Sequence, residues 1–402
     1  MIQDHTTHSL PKERRLPELD SVRGLAALSV VFLHFHDMWV PVNRHALPLW
    51  DRFALTALRP LYCGSQAVMV FFLLSGMVLS FPLLRGKQQP YPRYLLRRTL
   101  RIYGPYLIAI GLAMAGVAFW HTHPGYRNAW SADDWTHPLT RHLVLQHLLF
   151  LGAYNTQPFD FVIWTLVHEM RISIFFPLLF WLVQRLRLWG SLLFSAAIAL
   201  GVFAIVPASS TVSARYSYPM TLFYATFFVA GILLASRLQL VEALWRRLSV
   251  ASRCLLFIGT LLLYSYNDRA VGAVVDRVLH AGRYGNRYLM VEDLLTLVAA
   301  VGWIVIALNS PLAGKILRSR PCHFLGRISY SLYLIHPLVL LTITSALGTR
   351  LSPWIQFPLY IAGALLAGWL FCLLVEEPCI RLGRSLFSNK RVPSPGVSSS
   401  PA

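Results

Sequence analysis

Acidic side chains are scarce in this sequence. Its 402 residues hold 17 Asp and Glu against 36 Lys and Arg, and charged residues make up only 13%. A soluble globular chain carries about 25%, so a water-facing surface over most of the chain is excluded. The five cysteines (Cys63, Cys254, Cys322, Cys372 and Cys379) are scattered and show no CxxC spacing. That pattern excludes a disulfide framework and a cysteine zinc site, and no metal is expected. No internal repeat and no separate soluble domain is visible.

Apolar residues are abundant, at 56%, with a mean hydropathy of +0.53. Runs of about 20 of them recur, long enough to cross a hydrocarbon core of ~30 Å. The expected architecture is all-α, a polytopic membrane protein with about ten transmembrane helices, near 22–40, 64–84, 103–120, 163–183, 189–207, 219–236, 253–267, 290–308, 328–346 and 354–375. The first run lacks a small-residue cleavage site, since His34, His36 and Asp37 lie where one belongs. It is read as retained and not as a signal peptide. Arg141–Gly152 is apolar but short, which suits an interfacial or re-entrant helix. The tail "RVPSPGVSSSPA" is rich in Pro and Ser, a composition of disordered chain. The divisions are an N-terminal segment at 1–15, a membrane domain at 16–386 and a tail at 387–402.

The net charge of +19 needs no nucleic acid, because basic loops collect on the cytoplasmic side of a membrane. With the N-terminus inside, about two-thirds of the 36 Lys and Arg fall on inner segments, and every inner segment contributes. Both termini are therefore expected in the cytoplasm.

A few ionisable residues interrupt the apolar runs. "LDSVRGLAALSVVFLHFHD" carries Arg23 and His34, eleven residues apart. At 100° per residue they share a helix face, separated by roughly 16 Å. An ionisable group at His34's depth is costly and is a functional candidate, although a satisfied interhelical partner fits the same position. "YPRYLLRRTLRIYGPYL" places Arg98 and Arg101 at i,i+3 on the inner side. Neighbouring guanidinium forks suit phosphate, and a topology anchor reads the same way. "WTLVHEMRISIFFPLL" holds Glu169 and Arg171 inside a run, with His168 beside them. An ion pair between Glu169 and Arg171 is disfavoured, since i,i+2 residues do not face each other. In "LGRISYSLYLIHPLVL", Ser329, Tyr333 and His336 follow i,i+4,i+7 spacing on one face, where hydroxyls either line a cavity or join helices.

In this order, the motifs resemble those of acyltransferase family 3, the membrane O-acyltransferases. "ELDSVRGLAALSVVFLH" is similar to the family's first span, with arginine, ten residues and histidine at Arg23 and His34. "FFLLSGMVLS" resembles its second span, and "RRTLR" its arginine pair at Arg98 and Arg101. "WTLVHE", "SYSLYLIHP" and "VEEPCIRLG" match its later signatures. The likeness covers about Leu16 to Arg384, with one departure: where the family often has Glu-Glu and an aromatic pair after the tryptophan, this chain has Glu169-Met170-Arg171-Ile172-Ser173, so only Glu169 carries over.

The resemblance implies transfer of an acyl group, commonly acetyl, from cytoplasmic acyl-CoA to a carbohydrate or glycolipid hydroxyl at the outer face. Lipopolysaccharide O-antigen, exopolysaccharide, peptidoglycan and small glycosides are the implied acceptors. Membrane lipids are the expected surroundings, and a bacterial inner membrane the expected location. A stand-alone transferase without an added hydrolase-like domain is also expected. Arg98 and Arg101, with Arg23, are expected to hold the coenzyme A phosphates. His34 is expected as general base, oriented by Glu169, which lies at similar depth. Trp164, Ser329, Tyr333 and His336 are expected to contact substrate. Direct transfer is preferred, with an acyl-enzyme relay as the other route. A proton-coupled secondary transporter is the alternative class, since it too uses intramembrane His, Glu and Arg. Such carriers often show inverted repeats. A non-catalytic scaffold is the third reading.

Overall fold

In a hydrocarbon environment each backbone N–H and C=O must be satisfied within the protein, so apolar runs of this length fold as helices. A computed structural model describes residues 16–39, 58–87, 89–128, 131, 134–207, 212–279 and 285–386, and over them it has helices and no strand. The segments 1–15 and 387–402 lie outside the described residues.

In chain order the helices are α1 (Pro17–Trp39), α2 (Gly64–Leu84), α3 (Tyr91–Thr122), α4 (Arg141–Leu149), α5 (Trp164–Ile205) and α6 (Tyr218–Ser236). They continue as α7 (Leu238–Arg247), α8 (Val250–Leu279), α9 (Asn286–Asn309), α10 (Pro311–Leu317), α11 (Arg320–Leu347) and α12 (Pro353–Phe371). A π-turn at Cys372–Glu376 leads into α13 (Glu377–Ser385). The protein is thus an all-helical integral membrane protein. Seven helical stretches among the described residues are long and apolar enough to cross a membrane.

The sequence leads to a count of about ten, and the difference has identifiable sources. Helix α5 runs for 42 residues because it joins the expected segments 163–183 and 189–207 across a break at Arg187, where φ is 59°. Helix α1 carries Arg23, His34, His36 and Asp37, which dilute its apolar character. The expected segment 253–267 lies in α8, which is not among the seven. The short apolar piece forms α4, started by Thr140, whose Oγ1 accepts from the Leu143 N–H at 3.2 Å.

Close backbone approach fixes how the central helices cross. A Cβ on Gly24 of α1 would fall 2.4 Å from the Gly326 nitrogen of α11. A Cβ on Gly76 of α2 would fall 2.4 Å from the Phe228 carbonyl oxygen of α6. Small residues permit this contact, the usual device for packing helices in lipid. Phe35, Tyr106, Phe227 and Leu332 are fully buried at the centre, whereas Trp189, Leu193 and Leu200 on the second half of α5 are exposed, as a lipid-facing surface requires.

At the end where α1, α3 and α11 begin, ion pairs tie the helices together. Arg318 Nε meets Glu18 Oε1 at 2.6 Å, and Arg327 Nη2 meets Glu377 Oε1 at 2.5 Å. This is the basic end of the bundle.

Candidate active site

From the basic end a cavity of about 620 Å³ rises between α1, α2, α3, α5 and α11. Its mouth gathers Arg23, Lys87, Arg97, Arg98 and Arg101 against the two carboxylates of Asp20 and Glu169. Deeper in, Phe71, Phe72, Leu74 and Leu166 make the wall apolar, and Thr165 and Tyr333 stand at the far end.

The expected arginines come together here. Arg23 donates from Nε to Ser329 Oγ at 2.9 Å and pairs through Nη2 with Asp20 at 3.1 Å. Arg98 is held from two sides of α5: Nη2 lies 2.9 Å from Glu169 Oε1 and 2.9 Å from Ser173 Oγ. Ser75 of α2 also donates to Glu169, at 3.0 Å. Arg101 faces the same cavity, with Arg23 and Arg98 as electrostatic neighbours, and has no hydrogen-bond or ion-pair partner among the described residues. The result is a cationic mouth with one guanidinium fully available to an anion.

This pairing corrects one expectation. Similar depth suggests that Glu169 orients the His34 imidazole, but the structure commits Glu169 to Arg98 and Ser75. Rise along the axis gives height in the bundle, whereas the direction of the side chain around the axis decides its partner.

His34 instead meets His336. The two rings stack at 5.4 Å between centroids, and Phe161 packs edge-on against His34 at 4.6 Å. His336 is fully buried, and its Nδ1 lies 3.1 Å from the Leu332 carbonyl oxygen. That contact makes Nδ1 the protonated nitrogen and Nε2 the acceptor, assigned from the hydrogen bond. Nε2 has no partner among the described residues. The histidines do not line the cavity. Tyr333 separates them from it, its ring 6.0 Å from that of His336.

The i,i+4,i+7 trio is therefore brought into one column: Ser329 at the arginines, Tyr333 at the end of the cavity, and His336 beside His34. Trp164 is not part of it. The Arg215 guanidinium lies over its ring at 4.9 Å, with Tyr224 at 5.7 Å.

Several residues escape the sequence reading. Ser75, Ser173 and Thr165 are polar interruptions of apolar runs, and that interruption is the signal that could have found them. Asp160, in the loop before α5, is buried, and its Oδ1 accepts from the Val162 N–H at 3.1 Å. Burial pushes its carboxyl well above the usual carboxylate range, and nearby Asp134 pushes the same way.

Comparison with known proteins identifies the family. The model of an acyltransferase domain, acyltransferase family 3, matches residues 16–373. The chain is similar to O-acetyltransferase PaAT-1 of Phomopsis amygdali, at 23% identity over 89% of this chain and 80% of that one. It is also similar to acyltransferase MdmB of Streptomyces mycarofaciens, at 28% identity over 92% of this chain and 93% of the other. No solved structure matches. With a family match over most of its length and two acyltransferases similar to it over most of theirs, the chain belongs to acyltransferase family 3 and is a membrane enzyme of the O-acetyltransferase type.

Proposed function

We propose that the enzyme moves an acyl group, acetyl first among the candidates, from acyl-CoA to a hydroxyl of a cell-surface carbohydrate or glycoconjugate. The observation that carries this reading is the cavity itself: cationic at its mouth, apolar within, and ending one tyrosine away from the His34–His336 pair. Coenzyme A is a polyanion on a flexible arm, and a mouth with five cations and two carboxylates suits it. A volume of about 620 Å³ is of the size that holds small ligands.

Arg23, Arg98 and Arg101 hold the phosphates, and Glu169 acts as a positioning residue that keeps the Arg98 fork aimed. His34 takes the proton of the acceptor hydroxyl as general base, with His336 stacked behind it. The excess of basic residues at the cavity mouth supports a cytoplasmic basic end, with both termini inside, in a bacterial inner membrane. Ten crossings follow when α1, α8 and both halves of α5 each span the bilayer, and residues 16–386 then form the transferase domain.

Purified enzyme in lipid discs, given radiolabelled acetyl-CoA and surface glycans, should pass label to the glycan. Mass spectrometry of surface glycans from cells with and without the chain should show one added acyl group on a defined sugar. Solute uptake with no label leaving coenzyme A would sink the proposal in favour of a transporter.

A further inference from the structure

Two hydroxyls close the far end of the cavity. Thr165 Oγ1 and the Tyr333 hydroxyl oxygen lie 2.8 Å apart and bridge α5 to α11. Both side chains are buried, and both line the cavity. Each also reaches the Val162 carbonyl oxygen, at 3.0 Å from Thr165 and 3.1 Å from Tyr333. A hydroxyl carries one proton, so three contacts share two protons and one contact is always without. Either O–H can therefore turn toward a new acceptor while the oxygens stay in place. Val162 is itself held through its N–H, which donates to Asp160 Oδ1. On the other side of Tyr333 stands His336, and beyond it His34. A group that arrives at the end of the cavity meets two hydroxyl donors just short of the imidazoles.

We infer that Thr165 and Tyr333 are catalytic residues that receive the carbonyl oxygen of the donor thioester and stabilise the oxyanion formed on it. The assignment rests on the cavity being the acyl-CoA site with His34 as base. The acceptor oxygen bonds to the carbonyl carbon while its proton passes to the His34 imidazole. The π pair of the C=O moves onto oxygen, where two O–H groups meet the growing charge away from bulk water. The carbonyl then re-forms and the C–S bond breaks. Sulfur keeps the bonding pair and takes the proton that His34 held, so the products are the acyl ester and free coenzyme A thiol.

Two measurements on the full-length enzyme in lipid discs test this. The first compares Tyr333→Phe, Thr165→Val and Thr165→Ser with wild type. Loss of one such donor lowers kcat by roughly 10²–10³-fold, so the Phe and Val variants should fall by that factor, while donor affinity falls by no more than about tenfold. Thr165→Ser, which keeps the hydroxyl, should recover most of the rate, an outcome that a packing role would not produce. The second uses two inert donor analogues. One is the methyl ketone in which CH₂ replaces the sulfur of acetyl-CoA, and the other is its counterpart without the carbonyl oxygen. Wild type should bind the ketone about tenfold more tightly, and the Phe and Val variants should lose that preference. Equal binding of the two analogues by wild type, or wild-type kcat in both variants, overturns the hydroxyl assignment while leaving the donor site standing. Binding of neither analogue overturns the donor reading and this assignment with it.

Discussion

His168 and His336 are both fully buried histidines on membrane-length helices, and their surroundings differ in one decisive way. His168 uses both ring nitrogens, Nδ1 at 2.8 Å from Thr221 Oγ1 and Nε2 at 2.9 Å from the Arg215 carbonyl oxygen. Beside it, Arg171 donates to the carbonyl oxygens of Leu151, Gly152 and Tyr216 and to Thr221 Oγ1. That cluster fastens the loops around 151–152 and 215–217 to α5 and engages both ring nitrogens of His168. At the other cluster, among the described residues, His336 Nε2 has no partner, and Arg101 nearer the mouth has no hydrogen-bond or ion-pair partner. Both clusters put the same residue types in the same apolar medium. Unused hydrogen-bonding capacity, which is costly to bury, separates the site from the staple.

The sharpest way to break this contrast is to remove one side chain from each cluster. His34→Ala should lower kcat by about 10²–10⁴-fold with donor affinity unchanged, measured by initial rates and by calorimetric titration. Wild-type turnover in that variant would remove His34 from the mechanism. Arg171→Met should do the reverse. It strands the Leu151, Gly152 and Tyr216 carbonyls, each at a cost of about 1–3 kcal/mol. Thermal unfolding in detergent should therefore come several degrees earlier, while the folded fraction keeps its kcat. A selective loss of kcat in Arg171→Met, at unchanged stability, would erase the distinction drawn between the clusters.

Arg98 and Arg101 sharpen it on a smaller scale. Arg101→Ala should weaken acyl-CoA binding about tenfold or more, since charged hydrogen bonds contribute roughly 1.5–3 kcal/mol, with little change in stability. Arg98→Ala should match that loss and also destabilise the fold, because Glu169 is left beside Ser75 without its cation. Adding Glu169→Gln should restore stability but not affinity. Lysine at either position should rescue in part, keeping charge without the fork.

Asp160 gives the smallest effect and the most direct pH test. Its folded pKa is raised, so the folded state keeps a proton that the unfolded chain releases from about pH 4 upward. Stability contributed by the protonated acid is therefore lost as pH rises through that window. Asp160→Asn cannot ionise and should flatten this part of a plot of unfolding temperature against pH. An unchanged slope would mean that the carboxylate ionises normally in the folded protein.

Much of this arrangement was legible in the sequence, because helical periodicity reports which residues share a face. Arg23 and His34 do share one, and both meet α11, through Ser329 and His336. The spacing of Arg98 and Arg101 likewise places both at one cavity mouth. What periodicity does not report is the neighbour across the gap. The partner of Glu169 is 71 positions away in the chain, so depth along the axis pairs Glu169 with His34 where the structure pairs it with Arg98. Trp164 shares a motif with Thr165 yet lies over Arg215, because adjacent helical residues point about 100° apart. The number of crossings was obscured for a related reason: the break at Arg187 leaves two apolar runs in one continuous element.

The contact of Gly24 with Gly326 has a consequence for length. It sets the zero of a ruler. From that crossing the arginine contact lies beside the mark and His34 lies about 16 Å farther along the same rigid rod, so any molecule touching both must have that span. A side chain at either glycine would lift the two helices apart at the zero mark, and the Arg23–Ser329 and His34–His336 contacts would be displaced together. The reach of the site is thus graduated in helical turns, and inserting one turn between Arg23 and His34 would demand a ligand ~5.4 Å longer.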